Sequence, residues 1–217
     1  MFGDSWAVGS ELKSNEKSFG QLVAEKLNLI EFNNYAQIGS SVTHLILQLK
    51  DFVKNKNNLN EYLAIFLLTG KERHLSWSDN NWVFHTVHGT YQNGKPADST
   101  LEEITKLYYK YFYSDQLTDL QINTALVTLQ SICQQYGIHD FYIPGWQRFN
   151  LWPEVNSIKV YKQGQVACGD MFELLVPDPT NYQIDSSNPY IYPNRRHPNQ
   201  LGHQLIADQL IKWIGCA

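Results

Sequence analysis

The chain has 217 residues, a formal net charge of −4 and a hydrophobic share of 43%. That length fits one sizeable domain better than two, and the mildly acidic balance gives no general attraction to nucleic acid or to anionic membranes. The sequence has no run of about 18 apolar residues, so no membrane span is predicted. Only Met1 and Phe2 precede Gly3. We therefore expect no signal peptide and predict a cytoplasmic location.

Apolar periodicity in the first third of the chain predicts two helices and two strands. The helices are expected over residues 18–28 and 42–53, where apolar side chains recur at helical spacing. The short apolar run 29–32 predicts a buried strand, and the polar stretch 33–41 with its Asn, Gly and Ser residues predicts a loop. The longer apolar run 62–68 is typical of a strand that a parallel sheet buries on both faces.

The remaining elements follow in the second half of the chain. Helices are expected over residues 101–113 and 117–136, and Gly137 stands where a helix commonly ends. A short strand is predicted over 139–143. An amphipathic helix over 200–214 closes the chain.

Alternation of strands and helices favours an α/β fold, in which a parallel sheet carries helices on both faces. Two irregular stretches, at about 70–98 and 144–193, are expected to leave the core of a single domain that covers residues 1–217. Ligands of such sheets bind beyond the carboxyl ends of the strands. The residues that follow predicted strands should therefore share one edge, and they are Ser5, Gly39, Thr69 and Pro144.

Ser5 and His197 form a candidate catalytic pair. A serine hydroxyl is a poor nucleophile until a base takes its proton, and an imidazole suits that task because it titrates near neutral pH. His197 is followed by a proline and lies just before the last predicted helix. Taken alone, Gly3-Asp4-Ser5 is a weak signal and favours an ordinary turn, because turns use these residues routinely. His203 lies within the helix and is expected to pack there or to contact solvent.

Three motifs together resemble those of the SGNH/GDSL hydrolase superfamily of serine esterases, lipases and deacetylases. In chain order they are Gly3-Asp4-Ser5, the stretch 34–41 (Asn-Tyr-Ala-Gln-Ile-Gly-Ser-Ser) and the stretch 197–203, which opens with His-Pro-Asn. The resemblance implies a three-layer α/β/α sandwich with a flavodoxin-like parallel sheet. It also implies Ser5 as nucleophile, His197 as base, and the backbone N–H groups of Ser5 and Gly39 as an oxyanion hole. No cofactor and no metal are implied.

The family has one more motif, Gly-x-Asn-Asp, which follows a strand, and this chain departs from it. The predicted strand here ends in Thr69-Gly70-Lys71-Glu72-Arg73, with no Asn to complete the oxyanion hole. The stretch resembles a variant with Thr-x-x-Glu-Arg found in phage and environmental members, which adds a phage or virion-associated location to the cytoplasmic one. Thr69 or Arg73 would then face the oxyanion, through a hydroxyl or a guanidinium. The alternative is an ordinary solvated turn.

A second departure concerns the partner of the base. The family places an Asp three residues before the histidine, and here that residue is Asn194. A carboxylate holds the imidazole in the right tautomer and stabilises its charged form, which an uncharged amide does less well. Three interpretations stay open: a Ser–His dyad oriented by a backbone carbonyl, a carboxylate from elsewhere with Asp185 nearest in sequence, or weakened activity.

The sequence gives no support for a metal site. His85 and His88 are three residues apart, but their apolar neighbours favour a strand, on which the two side chains would point to opposite faces. No Gly-rich phosphate loop or dinucleotide motif occurs.

The most specific interpretation is hydrolysis of a small acyl ester through an acyl-serine. Aromatic residues in the stretches 77–91 and 142–152 would shape the acceptor pocket, so the expected partner is a small-molecule or carbohydrate ester, with acetylated carbohydrate first. The alternative is a carbohydrate- or partner-binding module that kept the fold and lost the chemistry. The departure from Gly-x-Asn-Asp after Thr69 and the presence of Asn194 in place of an Asp favour that alternative.

Overall fold

The computed structural model describes residues 1–78, 81–86, 89–92, 95–96, 99–145, 149–155, 174–175, 188–192 and 197–215, with the backbone alone over 77–96. The helices in these ranges are α1 (Ser5–Val8), α2 (Phe19–Lys26), α3 (His44–Asn55), α4 (Ser99–Tyr111), α5 (Asp115–Tyr136) and α6 (Gln200–Ile214), with a 3₁₀ turn at Leu59–Glu61. The strands are β1 (Leu63–Leu68), β2 (His74–Ser78), β3 (Asn81–Thr86), β4 (Gly89–Gln92), β5 (Lys95–Pro96) and β6 (His139–Pro144).

A small parallel sheet lies at the centre of the chain. Strand β1 pairs with β6 in parallel register, from Leu63 opposite His139 to Leu68 opposite Pro144. On the other side of β1, Phe2 lies opposite Phe66 and exchanges two backbone hydrogen bonds of 2.9 Å with residues 65 and 67. The first residues of the chain therefore act as a very short parallel strand.

The segment 33–37 covers the outer edge of these first residues. The amino group of Met1 donates to the carbonyl of Asn33 at 2.8 Å. In the other direction, the N–H of Tyr35 donates to Met1 at 2.9 Å, and that of Gln37 donates to Gly3 at 3.0 Å. Four segments thus lie side by side, in the order 33–37, 1–3, β1 and β6.

The strand predicted over residues 29–32 is wrong. Leu29 is 45% exposed and Ile30 is fully exposed, and no backbone pairing includes this run. The polar stretch next to it, predicted as a loop, makes the edge contacts instead. The reason is that an edge segment is selected by backbone hydrogen bonds to its neighbour, and these do not need apolar side chains.

Two hydrophobic clusters lie on opposite faces of β1, because successive side chains of a strand point to opposite sides. Ala64, Phe66 and Leu68 belong to the first cluster, and Ile65 and Leu67 belong to the second. The first cluster draws its buried helical residues from α3 and α5, namely Leu45, Leu49, Phe52, Ile122, Ala125, Leu126, Leu129 and Cys133. The second draws them from α1, α2 and α6, namely Trp6, Ala7, Phe19, Leu22, Val23, Ile206, Ala207 and Leu210.

The predicted helices are confirmed as α2 to α6, and the predicted strands at 62–68 and 139–143 are confirmed as β1 and β6. Local signals fix their ends. Helix α2 opens with a capping box between Ser18 and Gln21, and α5 ends at Gly137, whose φ of 68° is the left-handed conformation of a helix stop. The α/β class is therefore confirmed at the level of helices around a small parallel sheet.

A second sheet occupies the stretch 70–98. Strands β2 to β5 form an antiparallel sheet in chain order, with β2 and β3 paired from His74 opposite His85 to Ser78 opposite Asn81. His85 lies in β3, as its apolar neighbours predict, and residues 87–88 lie outside the described ranges. Most of the other predicted excursion, 144–193, also lies outside them. Over the part of the chain that the structure describes, no helix is both long and apolar enough to cross a bilayer.

The position of α6 depends on a close contact at Gly202. The N–H of Asn199 donates to the carbonyl of Tyr190 at 2.9 Å, and the Asn199 side chain caps the helix. A Cβ on Gly202 would clash with that same Tyr190 carbonyl and lie 2.9 Å from Cβ of Pro198. Helix and segment 188–192 therefore approach as closely as their backbones allow.

We predict that Gly202→Ala lowers the free energy of unfolding by about 1–3 kcal/mol, the range for an overpacked contact that must shift backbone. Urea denaturation measures it. The matched control is Gly215→Ala at the end of α6, where the nearest atom to a new Cβ is 3.3 Å away. Equal stability of the two variants would contradict the close approach.

Candidate active site

Ser5 is presented by a short, tightly held turn. It is the first residue of α1 and is 6% exposed. Asp4 caps this helix by accepting a 3.0 Å hydrogen bond from the N–H of Trp6. Gly3 has a φ of 150°, and a Cβ there would lie 2.8 Å from Ala7 and 2.9 Å from Leu67. A side chain at position 3 would therefore displace the serine from the sheet edge.

His197 reaches Ser5 from the other end of the chain. Its Nε2 lies 2.9 Å from Ser5 Oγ. The histidine backbone is held because its carbonyl accepts from the N–H of Tyr192 at 2.9 Å, and because Pro198 bridges to Ile191. The contact that the sequence predicts between the two residues is present.

Glu11 faces the other nitrogen of the same ring. Its Oε1 lies 3.2 Å from His197 Nδ1, and the two side chains are only 20% and 23% exposed. The direction of the ring N–H is not aligned with this oxygen or with any other acceptor among the described residues. The pair is therefore at ion-pair distance without a formed hydrogen bond.

Two residues predicted to orient the histidine, Asn194 and Asp185, lie outside the described ranges. Their roles stay predictions. Glu11 was not among the candidates, although a carboxylate arriving from elsewhere was one of the open interpretations.

Gly39 lies on a loop that is hydrogen-bonded to the turn that carries Ser5. Its φ is 80°, a conformation that glycine adopts without strain. Two residues earlier, Gln37 donates to the carbonyl of Gly3 at 3.0 Å. Among the described residues, no hydrogen-bond acceptor takes the N–H of Ser5 or that of Gly39.

Gln48 supports this arrangement from behind. Its side-chain oxygen accepts from the N–H of Gly3 at 3.0 Å, and its Nε2 donates to the carbonyl of the same residue at 3.1 Å. The same Nε2 donates to Ser40 Oγ at 2.9 Å. His44 lies one helical turn before Gln48, with its Nδ1 3.0 Å from Ser40 Oγ. The buried amide of Gln48 thus connects the turn that carries Ser5 to the loop that carries Gly39.

Arg73 joins the same two segments with a charge. Its Nη1 donates to Asp4 Oδ2 at 2.6 Å and to the carbonyl of Ser40 at 3.2 Å. Asp4 is fully buried, and the Arg73 side chain is 13% exposed. Removing one partner of such a pair leaves an uncompensated buried charge, so the pair fixes the geometry of the turn. The predicted contact between Arg73 and an oxyanion stays a prediction.

Thr69 carries a buried hydroxyl that has no hydrogen-bond partner among the described residues. It is fully buried and directly follows β1. The parallel pairing of Phe2 with Phe66 brings Thr69 to the same level of the sheet as Ser5. Because buried hydroxyl groups are almost always paired, this one is a candidate for a ligand contact.

His203 does not take part in this pair. It is fully buried, stacks on Phe19, and its Nδ1 accepts from the N–H of that residue at 3.2 Å. Burial lowers its pKa to about 4, and the nearby His197 acts in the same direction. Of the two expectations for His203, packing and solvent contact, packing is confirmed.

The positions of Tyr142 and Phe149 differ from the prediction that the aromatic stretch 142–152 shapes an acceptor pocket. Tyr142 is fully buried and stacks on Phe66 at a centroid distance of 5.0 Å. Phe149 belongs to the same hydrophobic cluster. Both residues pack the core, whereas Trp152 is 38% exposed. Of the predicted aromatic stretch 142–152, at least these two do not line a pocket.

Sequence reasoning missed three polar residues that hold the site. His44 and Gln48 stand on the same face of α3 as the buried residues Leu45, Leu49 and Phe52, and polar residues on an apolar stripe are a usable signal. Glu11 gives no comparable signal, because its direction depends on a turn. In the described part of the chain, no group of three or more His, Cys, Asp or Glu side chains could hold a metal ion.

A scan of the chain against protein-family models gives no match, and a search of curated proteins gives none either.

We predict that the protein loses stability as the pH falls from about 6.5 to about 4. Burial lowers the pKa values of His44 and His203 to about 4, so in this window the unfolded chain binds protons that the folded chain does not. Each histidine contributes a loss of up to roughly 3 kcal/mol. Denaturant titrations at several pH values measure it. His44→Asn should flatten the slope, and His139→Asn, at an exposed position, should not.

Proposed function

We propose that this chain is a serine-dependent ester hydrolase of the SGNH/GDSL kind. The observation that supports the proposal most directly is the 2.9 Å approach of His197 Nε2 to Ser5 Oγ. This is the distance at which a base takes the proton of a serine nucleophile. The residues around the pair also fix its position, which is what a catalytic constellation needs.

The reaction proceeds in two halves. Ser5 Oγ attacks the acyl carbon and its proton passes to His197 Nε2, while the carbonyl electrons move to the oxygen. The tetrahedral species collapses, the bond to the alcohol breaks, and the alcohol leaves with the proton from Nε2. Water then attacks the acyl-serine and gives its proton to Nε2. Collapse of the second tetrahedral species releases the acid and returns the proton to Ser5.

The N–H groups of Ser5 and Gly39 stabilise the negative oxygen of both tetrahedral species. Donors aimed at such an oxyanion account for a large part of the rate of acyl transfer. Thr69 supplies a third donor, since its buried hydroxyl has no partner within the described residues. This hydroxyl takes the place of the Asn side chain of the family's usual motif.

The fold that goes with this proposal is a three-layer α/β/α sandwich with a flavodoxin-like sheet. Two observations support it. The segments 33–37, 1–3, β1 and β6 lie in a 2-1-3-4 order, which is the beginning of a flavodoxin-like sheet. Helices α2 and α6 contribute to one hydrophobic cluster and helices α3 and α5 to the other.

The substrate we propose is a small acyl ester, with an acetylated carbohydrate as the first choice. Ser5 is only 6% exposed, so a short acyl group reaches it more easily than a long chain. Trp152 offers a partly exposed aromatic face of the kind that stacks on a sugar ring. The proposed setting is the cytoplasm or a phage particle.

We predict that Ser5→Ala lowers turnover of p-nitrophenyl acetate by at least about 10³-fold, because the nucleophile is lost while oxyanion stabilisation remains. A fluorophosphonate probe should label Ser5 in the native chain. The matched control is Ser14→Ala, at an exposed position of the same segment, which should keep both rate and labelling. Equal rates in the Ser5 and native chains would favour the binding-module alternative.

We predict that Thr69→Val lowers kcat by about 10²–10³-fold, the usual cost of one oxyanion donor. Stability should be unchanged or higher, since the variant keeps the shape and removes an unpaired buried hydroxyl. The control is Thr105→Val in α4, whose hydroxyl donates to Leu101 at 2.8 Å. That variant should lose stability and keep its turnover. The opposite pattern would remove Thr69 from the oxyanion hole.

A further inference from the structure

We infer that Glu11 is the positioning residue of His197, in the role that the SGNH motif gives to an Asp three residues before the histidine. The catalytic role of Glu11 rests on the proposed function. The contact itself, between Glu11 Oε1 and His197 Nδ1 at 3.2 Å, does not depend on it.

The tautomer of His197 decides whether it acts as a base. Ser5 can donate its proton to Nε2 only when that nitrogen carries none, and a neutral ring then carries its proton on Nδ1. A carboxylate beside Nδ1 accepts from the N–H and favours this tautomer. It also stabilises the positive charge that the ring acquires when it takes the serine proton. Glu11 is on the side of the ring that this function needs.

The end of helix α1 directs Glu11 toward the ring. The N–H of Gly9 donates to the carbonyl of Ser5 at 3.1 Å, and that of Ser10 donates to it at 2.9 Å. Glu11 follows with a φ of 76°, in the left-handed region, which is unfavourable for a residue that carries a side chain. Non-glycine residues keep such a conformation where surrounding contacts impose it, and these places are commonly functional. Nucleophile and carboxylate thus sit six residues apart on one turn.

A second glutamate of this segment ties the turn to the segment that carries the histidine. Glu16 accepts from the N–H of Lys13 at 2.8 Å and from the hydroxyl of Tyr192 at 3.0 Å. Tyr192 in turn donates its own N–H to the carbonyl of His197. Glu16 therefore joins the two segments, and in the described part of the chain Glu11 is the carboxylate that lies beside the ring. Its low exposure, 20%, strengthens its interaction with a charged imidazole.

The first test reads the tautomer of His197 directly and needs no catalysis. Chains labelled at the histidine ring nitrogens are compared by NMR, which reports which nitrogen carries the proton. In the native chain we expect the proton on Nδ1 of His197. Glu11→Gln should mix the two tautomers, because the amide can present a donor or an acceptor. The matched control Glu25→Gln, which removes a surface carboxylate paired with Lys17, should give the native spectrum.

The second test reads turnover. Glu11→Gln should lower kcat for p-nitrophenyl acetate by about 10³–10⁴-fold with KM nearly unchanged, the pattern for loss of a carboxylate that orients the base. Glu11→Asp should recover part of the loss because it keeps the charge. Added formate should raise the rate of Glu11→Ala and leave that of Ser5→Ala unaltered.

The outcomes separate this inference from the proposed function. Native ring signals in Glu11→Gln, or a tautomer change in Asn194→Ala instead, would overturn the role of Glu11. A change confined to the Glu11 variants, in a chain without Ser5-dependent hydrolysis, would support the orienting contact and reject the hydrolase. Should Glu11→Gln not fold, Glu11→Asp serves in its place. Its shorter side chain should shift the Nδ1 proton signal, and an unshifted signal would overturn the inference.

Discussion

The site depends on the way that the first three residues are held between their neighbours. Residues 65 and 67 of β1 bond Phe2 from one side, and Asn33, Tyr35 and Gln37 bond Met1 and Gly3 from the other. Gln48 then satisfies both backbone groups of Gly3 that face α3. Because Ser5 follows only two residues later, its direction is set by these hydrogen bonds. A conventional long strand is not needed to align it.

Charge and polarity reinforce this alignment from inside the protein. Asp4 is fully buried, and Arg73 offsets its charge while also bonding the loop that carries Gly39. Buried ion pairs contribute little net stability but make alternative arrangements costly, since either partner alone would be an unpaired buried charge. Gln48, Ser40 and His44 are also buried, and their polar atoms pair with one another. A rearrangement that separated them would leave buried polar groups without partners. These groups hold three remote segments in one relative position.

Much of the fold follows from periodicity in the sequence. The five long helices and the strands β1 and β6 lie where apolar spacing places them, and Gly137 and Ser18 mark helix ends by known local chemistry. The edge segment of the sheet could not be predicted from periodicity. The apolar run with Leu29 and Ile30 has the composition of a strand but is exposed, whereas residues 33–37 form the backbone hydrogen bonds. The motifs correctly predicted the contact between Ser5 and His197. The position of Glu11 could not be predicted in this way, because the direction of its side chain depends on a left-handed φ that the residue type does not indicate.

The location of Glu11 divides the site into two parts of unequal origin. Ser5 and Glu11 lie on one stretch of seven residues, so the spacing between them is a local property of the chain. His197 comes from the far end and is held by Tyr192, Asn199 and the close fit of Gly202. A shift of the segment that carries His197 would therefore move the imidazole away from Ser5, whereas the spacing between Ser5 and Glu11 would persist.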